Sequence, residues 1–166
     1  QNLDYFANIT ADCPLIDPEI IDRAIRIYNI KNSDLTYYST GNNDVPFNCY
    51  IIKVDALRKV CKLKNQIDTE CWFRFFSSLD DITINEIDVE KTLRHPRLKT
   101  SLDYQEDYEF IKRIFDNLYN VNNIFTMKDI VNHVKKNSSI LSINANDDLL
   151  KRWRRHQKET QRWNDA

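Results

Sequence analysis

Apolar positions recur first at strand spacing and later at helix spacing, which splits the chain into a mixed first part and a helical second part. Tyr5, Ala7 and Ile9 alternate with Phe6, Asn8 and Thr10, predicting a buried strand that Pro14, lacking an amide hydrogen, must end. A helix follows. Asp17 can accept from the orphan amides of a first turn, Pro18 fits the first helical position, and Glu19 complements the positive helix end. Ile20, Ile21, Ala24, Ile25 and Tyr28 keep one apolar face to about Lys31. Asp34 to Thr40 is rich in strand formers and runs into the turn-forming Gly41-Asn42-Asn43-Asp44. Cys49 to Val54 is a second apolar, β-branched run, and Asp55 is placed to cap a short helix carrying Leu57, Val60 and Cys61.

Asp68 to Phe76 reads as another short helix with more aromatic surface (Trp72, Phe73, Phe75, Phe76) than one face can hide. Ile82, Ile84 and Ile87 predict a strand, Arg94 to Lys99 a basic loop around Pro96, and Leu98 to Leu102 one more strand ending on Asp103. Helical spacing takes over beyond that point. Ile111, Ile114, Phe115 and Leu118 define a helix from about Glu106 to Tyr119, with acids at its start. Thr126 and Asp129 form a capping-box pair opening a helix that buries Ile130, Val131 and Val134 and closes at Asn137. A last, basic helix begins near Asp147 and carries Leu149, Leu150, Trp153 and Trp163 beside Lys151, Arg152, Arg154, Arg155, Lys158 and Arg162. Strand, helix, strand, helix in succession makes the class α/β.

Composition then narrows the chemistry. The 166 residues are enough for one domain with a real core. The 24 basic and 25 acidic residues nearly balance, so no global field recruits nucleic acid or an anionic membrane. No apolar run approaches the roughly 20 residues of a membrane span, and the N-terminus is neither basic nor followed by a signal-peptide core, which predicts a cytoplasmic protein. Cys13, Cys49, Cys61 and Cys71 have no Cys-x-x-Cys spacing and read as scattered reduced thiols. Gly41 is the one glycine, so neither a P-loop nor a dinucleotide fingerprint exists in these residues.

Two acids stand out because each sits just past a predicted strand and just before a helix: Asp12 and Asp103. Parallel strands would bring both carboxylates to one sheet edge, an arrangement that suits a magnesium ion between protein and phosphates. By spacing alone, both also read as ordinary turn or helix-start acids.

The stretch Ile9-Thr10-Ala11-Asp12-Cys13-Pro14-Leu15-Ile16-Asp17-Pro18 resembles a motif of the spore-coat polysaccharide biosynthesis nucleotidyltransferases, relatives of the acylneuraminate and 3-deoxy-manno-octulosonate cytidylyltransferases. Leu98-Lys99-Thr100-Ser101-Leu102-Asp103-Tyr104-Gln105-Glu106-Asp107-Tyr108-Glu109 resembles their second signature, and Asn144-Ala145-Asn146 their closing segment. The resemblance is collinear from about Tyr5 to Asn146. It implies a three-layer nucleotide-diphosphosugar transferase α/β sheet, with magnesium as cofactor on Asp12 and Asp103, and CTP and a sugar acid as substrates for surface polysaccharide biosynthesis. Substrate-binding roles fall by resemblance on Glu70, Cys71 and Tyr50.

This chain also departs from the family's pattern. The family's triphosphate-gripping loop of glycine, arginine and lysine has no counterpart here. Its Glu-His-Val-Thr segment is matched by Glu70-Cys71-Trp72-Phe73, which keeps the acid and loses the imidazole and hydroxyl. Its Pro-x-Gly stretch appears as Val45-Pro46-Phe47-Asn48-Cys49-Tyr50, without the glycine. The expectation is therefore residues 1–146 as the C-terminal part of such a domain, lacking the N-terminal nucleotide-binding half, followed by 147–166 as a basic helix. Such a chain is inactive alone and associates with itself or with an N-terminal partner segment. The competing class is a degenerate relative kept as an interaction or oligomerisation module. Neither reading involves nucleic acid or membrane.

Overall fold

The computed structural model describes residues 3–38, 47–63, 74–122, 124–152 and 155. Four short strands, β1 (Tyr5–Asn8), β2 (Leu35–Tyr38), β3 (Tyr50–Lys53) and β4 (Ile84–Ile87), make one mixed sheet in the order β1-β3-β2-β4. Strand β3 is antiparallel to β1 and β2, and β4 is parallel to β2, so β1, β2 and β4 share a direction and β3 is reversed between them. The carboxyl ends of three strands and the amino end of β3, at Tyr50, therefore lie along one edge. Asp12 follows β1 at that edge.

The alternation around Tyr5 predicts a buried strand, but β1 ends the sheet and is half-buried, with Ala7 exposed. Its ladder runs on one side only among the described residues, from Tyr5 opposite Lys53 to Asn8 opposite Tyr50. Consecutive residues of β3 point to opposite faces and feed two cores. Ile51 joins the larger one with Ile20, Ala24, Phe110, Ile114 and Val134 from the helices α1 (Pro18–Lys31), α4 (Gln105–Leu118) and α5 (Met127–Lys136). Ile52 joins the smaller one with Leu35, Ala56, Val60 and Phe76, under α2 (Val54–Leu63) and α3 (Arg74–Ser77). Phe76 is fully buried and Phe75 half-buried, whereas Trp72 and Phe73 of the aromatic cluster lie outside the described residues.

Helix boundaries follow the caps. Asp17 accepts from Glu19 N at 2.9 Å and Pro18 opens α1, which stops at Asn32 in the left-handed region (φ 48). Thr126 and Asp129 bond reciprocally across the start of α5, and the Asn137 amide closes it onto the His133 carbonyl. Replacing Thr126 by alanine is expected to cost about 1 kcal/mol, read by urea denaturation, because the Asp129 amide loses its side-chain acceptor and Asp129 loses the hydroxyl it bonds in return. Asp55 does not cap α2: that helix starts at Val54, and Asp55 sits in its first turn paired with Arg58 at 2.8 Å. The last helix is described over 147–152, where Leu150 enters the larger core; Trp153, Trp163, Arg154, Lys158 and Arg162 lie outside the described residues. No described helix is long and apolar enough to cross a membrane.

The strand expected over Leu98 to Leu102 does not form. Leu98, Lys99 and Thr100 are buried in succession while Leu102 is 40% exposed, which is not the alternation of a half-buried strand. The cause is Lys99, which is drawn inward by a buried carboxylate instead of pointing to solvent.

Candidate functional site

After β1 the chain makes two tight turns, Cys13 N to Thr10 O at 3.1 Å and Ile16 N to Cys13 O at 3.2 Å, which Pro14 permits because it has no amide to satisfy. These turns hold Asp12 exposed at the sheet edge, and its carboxylate has no cation partner among the described residues. The second acid arrives by a different route from the parallel strand expected for it. Leu102 N donates to Asp12 O at 2.7 Å, so the irregular segment carrying Asp103 is tied directly to the turn carrying Asp12.

Cys13 lies between them. Burial pushes its thiol pKa up, the bond from Thr10 opposes this, and the charges of Asp12 and Asp103 add to the rise. A thiol so placed stays protonated near neutrality and is no nucleophile. Burial likewise pushes Cys49 up to about 11, and Cys61 is free and exposed; among the described residues the cysteines are unpaired, as their spacing predicts.

Beneath Asp103 lies a buried polar network that the reading of Asp103 as a strand-end acid does not anticipate. The Lys99 ammonium, 5% exposed, meets Asp103 Oδ2 at 2.7 Å, bonds the Asp107 carboxylate, and donates to Ser101 O at 2.9 Å. Asp107, 2% exposed, also accepts from Asp103 N at 3.1 Å and Tyr104 N at 2.9 Å, so as the third residue of α4 it both caps the helix and fixes the backbone of Asp103. Asn144 spans from the far end of the chain, donating to Asp107 Oδ1 at 3.0 Å and to Lys99 O at 3.1 Å. Ser101 Oγ donates to Asp103 Oδ2 at 2.9 Å. The signal available in sequence was a lysine four residues before Asp103 and an acid four residues after it.

The other site residues named from sequence stand apart from this pair or outside the described residues. Tyr50 shares the sheet edge with Asp12, but it packs on the smaller core and stacks with Tyr37, ring centroids 6.3 Å apart. The segments bearing Asp12 and Asp103 are instead anchored in the larger core by Leu15 and Leu98. Opposite Tyr50 in the ladder, Asn8 keeps a buried side-chain oxygen with no partner among the described residues. Glu70 and Cys71 lie outside the described residues. His95 in the basic loop has its pKa lowered by burial first and then by Lys135 and Arg97. No group of three or more His, Cys, Asp or Glu side chains among the described residues is arranged to hold a metal by itself.

No family model and no curated sequence matches the chain. The fold has a solved counterpart. It is similar to the structure of a cytidylyltransferase from Leptospira borgpetersenii serovar Hardjo-bovis, with a TM-score of 0.69 over 84% of this chain and 20% sequence identity. The chain spans 59% of the length of that structure. The likeness, at that identity, is one of fold.

Proposed function

We propose that this chain is the C-terminal part of a cytidylyltransferase-like sugar nucleotidyltransferase, in which Asp12 and Asp103 would hold a magnesium ion whose charge would offset that of the CTP triphosphate. The observation that carries the reading is the Leu102-to-Asp12 backbone bond, which joins the two acid-bearing segments at one sheet edge. The likeness in fold to a cytidylyltransferase gives that edge its chemical context.

The residues fit such an ion in one specific way. Asp107 is committed to Lys99, two amides and Asn144, and Asp103 meets Lys99 and Ser101 through Oδ2, so the protein offers the exposed Asp12 and the partly exposed Asp103 rather than a full cage. Magnesium is commonly held by one or two carboxylates together with substrate phosphates, and its charge offsets that of the triphosphate. In the proposed reaction a sugar-acid hydroxyl forms the new bond to the α-phosphorus of CTP while the bond to the pyrophosphate oxygen breaks. This chain contributes acids that orient the phosphates. The triphosphate-gripping loop belongs to an N-terminal segment that also continues the sheet beyond β1, giving the complete three-layer domain. The one-sided ladder of β1 and the 59% coverage of the cytidylyltransferase support that division. Tyr50, Glu70 and Cys71 are proposed for the sugar side. The same side of β1, unpaired among the described residues, favours a second reading, a non-catalytic module that associates through this strand.

Calorimetry with CTP tests the first reading. The chain alone is expected to bind CTP weakly, with a dissociation constant on the order of millimolar, and only with magnesium present, because Asp12, Asp103 and Asp107 outnumber the one Lys99 ammonium between them and their net negative charge repels a polyanion. Asp12→Asn and Asp103→Asn should each abolish that dependence. Tight binding in the presence of a chelator contradicts the proposal.

A further inference from the structure

The basic helix from 147 onward has no role in the site so far, yet its one described inward-facing cation bears on Asp103. The Arg152 guanidinium lies over the Tyr104 ring at 4.2 Å from the centroid and bonds Glu106 Oε2 at 3.0 Å. Its Nε is buried without a hydrogen-bond acceptor among the described residues, as a guanidinium flat against a ring would be. The Lys99 ammonium also approaches the Tyr104 ring, 5.6 Å from its centroid. Tyr104 is thus engaged by two cations, one from the segment before it and one from the end of the chain, 46 residues beyond Glu106. It is also the residue that follows Asp103 and caps α4, and its amide and that of Asp103 converge on Asp107. Leu150, two residues from Arg152, is seated in the larger core, which gives the helix a fixed base from which to press on the ring.

We propose that Arg152 is a positioning residue for Asp103: together with Lys99 it clamps the Tyr104 ring, so that the last helix holds the acid-bearing segment against the Asp12 turn. Its charge is engaged by a ring and by a partly exposed carboxylate, so at this position the helix supports the site. The link to a metal rests on the function proposed above, whereas the clamp itself does not.

Two measurements on the full chain separate them. Hydrogen exchange without metal reads the clamp: in Arg152→Met the amides of Asp103 and Tyr104 should exchange roughly three- to fivefold faster, since a cation–π contact and a partly exposed ion pair are lost. Tyr104→Phe, which keeps the ring, should leave exchange unchanged, and Arg152→Lys should fall between. Binding of Mn2+ alone, followed by its electron paramagnetic resonance signal, reads the link: Arg152→Met should weaken it roughly tenfold, as loss of support for a metal ligand does, and Asp103→Asn should remove it. Unchanged amide exchange in Arg152→Met overturns the clamp, whatever Mn2+ does. Faster exchange with Mn2+ binding that Asp103→Asn leaves intact keeps the clamp and overturns the metal reading. Faster exchange with Mn2+ binding sensitive to Asp103→Asn but not to Arg152→Met overturns the positioning role.

Discussion

Asp107→Ala is expected to destabilise the chain by about 3–5 kcal/mol, the range for removing one partner of a buried, hydrogen-bonded ion pair. The Lys99 ammonium would keep Asp103 and the Ser101 carbonyl, but it would lose the one carboxylate that is as buried as itself. The amides of Asp103 and Tyr104 would lose their side-chain acceptor in the same step, and Asn144 would keep only the Lys99 carbonyl; each donor left unmet away from water adds a desolvation penalty. Asp107→Asn should cost less, because its oxygen can still serve the amides while its amino group faces other donors. Asp116→Ala is the control: Asp116 pairs with Lys112 at 2.8 Å on an exposed face, and its loss should leave the denaturation midpoint essentially unchanged. Urea denaturation at neutral pH reads all three. A cost below 1 kcal/mol for Asp107→Ala would mean that the network is not what orders the Asp103 segment.

The elements that could be read from sequence are those whose evidence is local. Helices α1, α4 and α5 announce themselves by apolar spacing and by caps that lie within three residues of what they cap, so Asp17, Thr126 and Asp129 were identifiable one by one. The segment 98–102 misled for a physical reason. Leu98 and Thr100 look like one face of a strand and Lys99 like the other, until a buried acid in the next helix pulls Lys99 to the same side. Asp12 and Asp103 each stood out from sequence by position, and the segments that carry them are joined by the Leu102 to Asp12 backbone bond, not by two parallel strands. What supports them was not visible, because Asn144 and Arg152 act across 37 and 46 residues, and nothing local marks either side chain as turned inward. The strand order also escaped: the reversal of β3 between β1 and β2 is a matter of which strands pair, which the residues of a single strand do not specify.

Asp17 is the second position at which one change should be costly, because it caps two helices at once. Oδ1 accepts from Glu19 N at 2.9 Å, the local cap that the sequence predicts. Oδ2 accepts from Met127 N at 2.8 Å, the first residue of α5 and 110 residues away. Both bonds are made to a carboxylate only 6% exposed, which strengthens each and makes an unmet amide expensive. Loss of an ordinary cap costs about 1 kcal/mol and a hydrogen bond to a charged group about 1.5–3, so Asp17→Ala should cost roughly 2–4 kcal/mol. It should also loosen α1 against α5. Asp17→Asn separates the two contributions, since its single oxygen can serve one amide while its amino group must face the other donor. The decisive reading is hydrogen exchange at Met127: in Asp17→Ala this amide should lose protection along with Glu19, whereas a purely local cap would leave α5 untouched. A stability loss near 1 kcal/mol with Met127 still protected would show that the bond across the core contributes nothing.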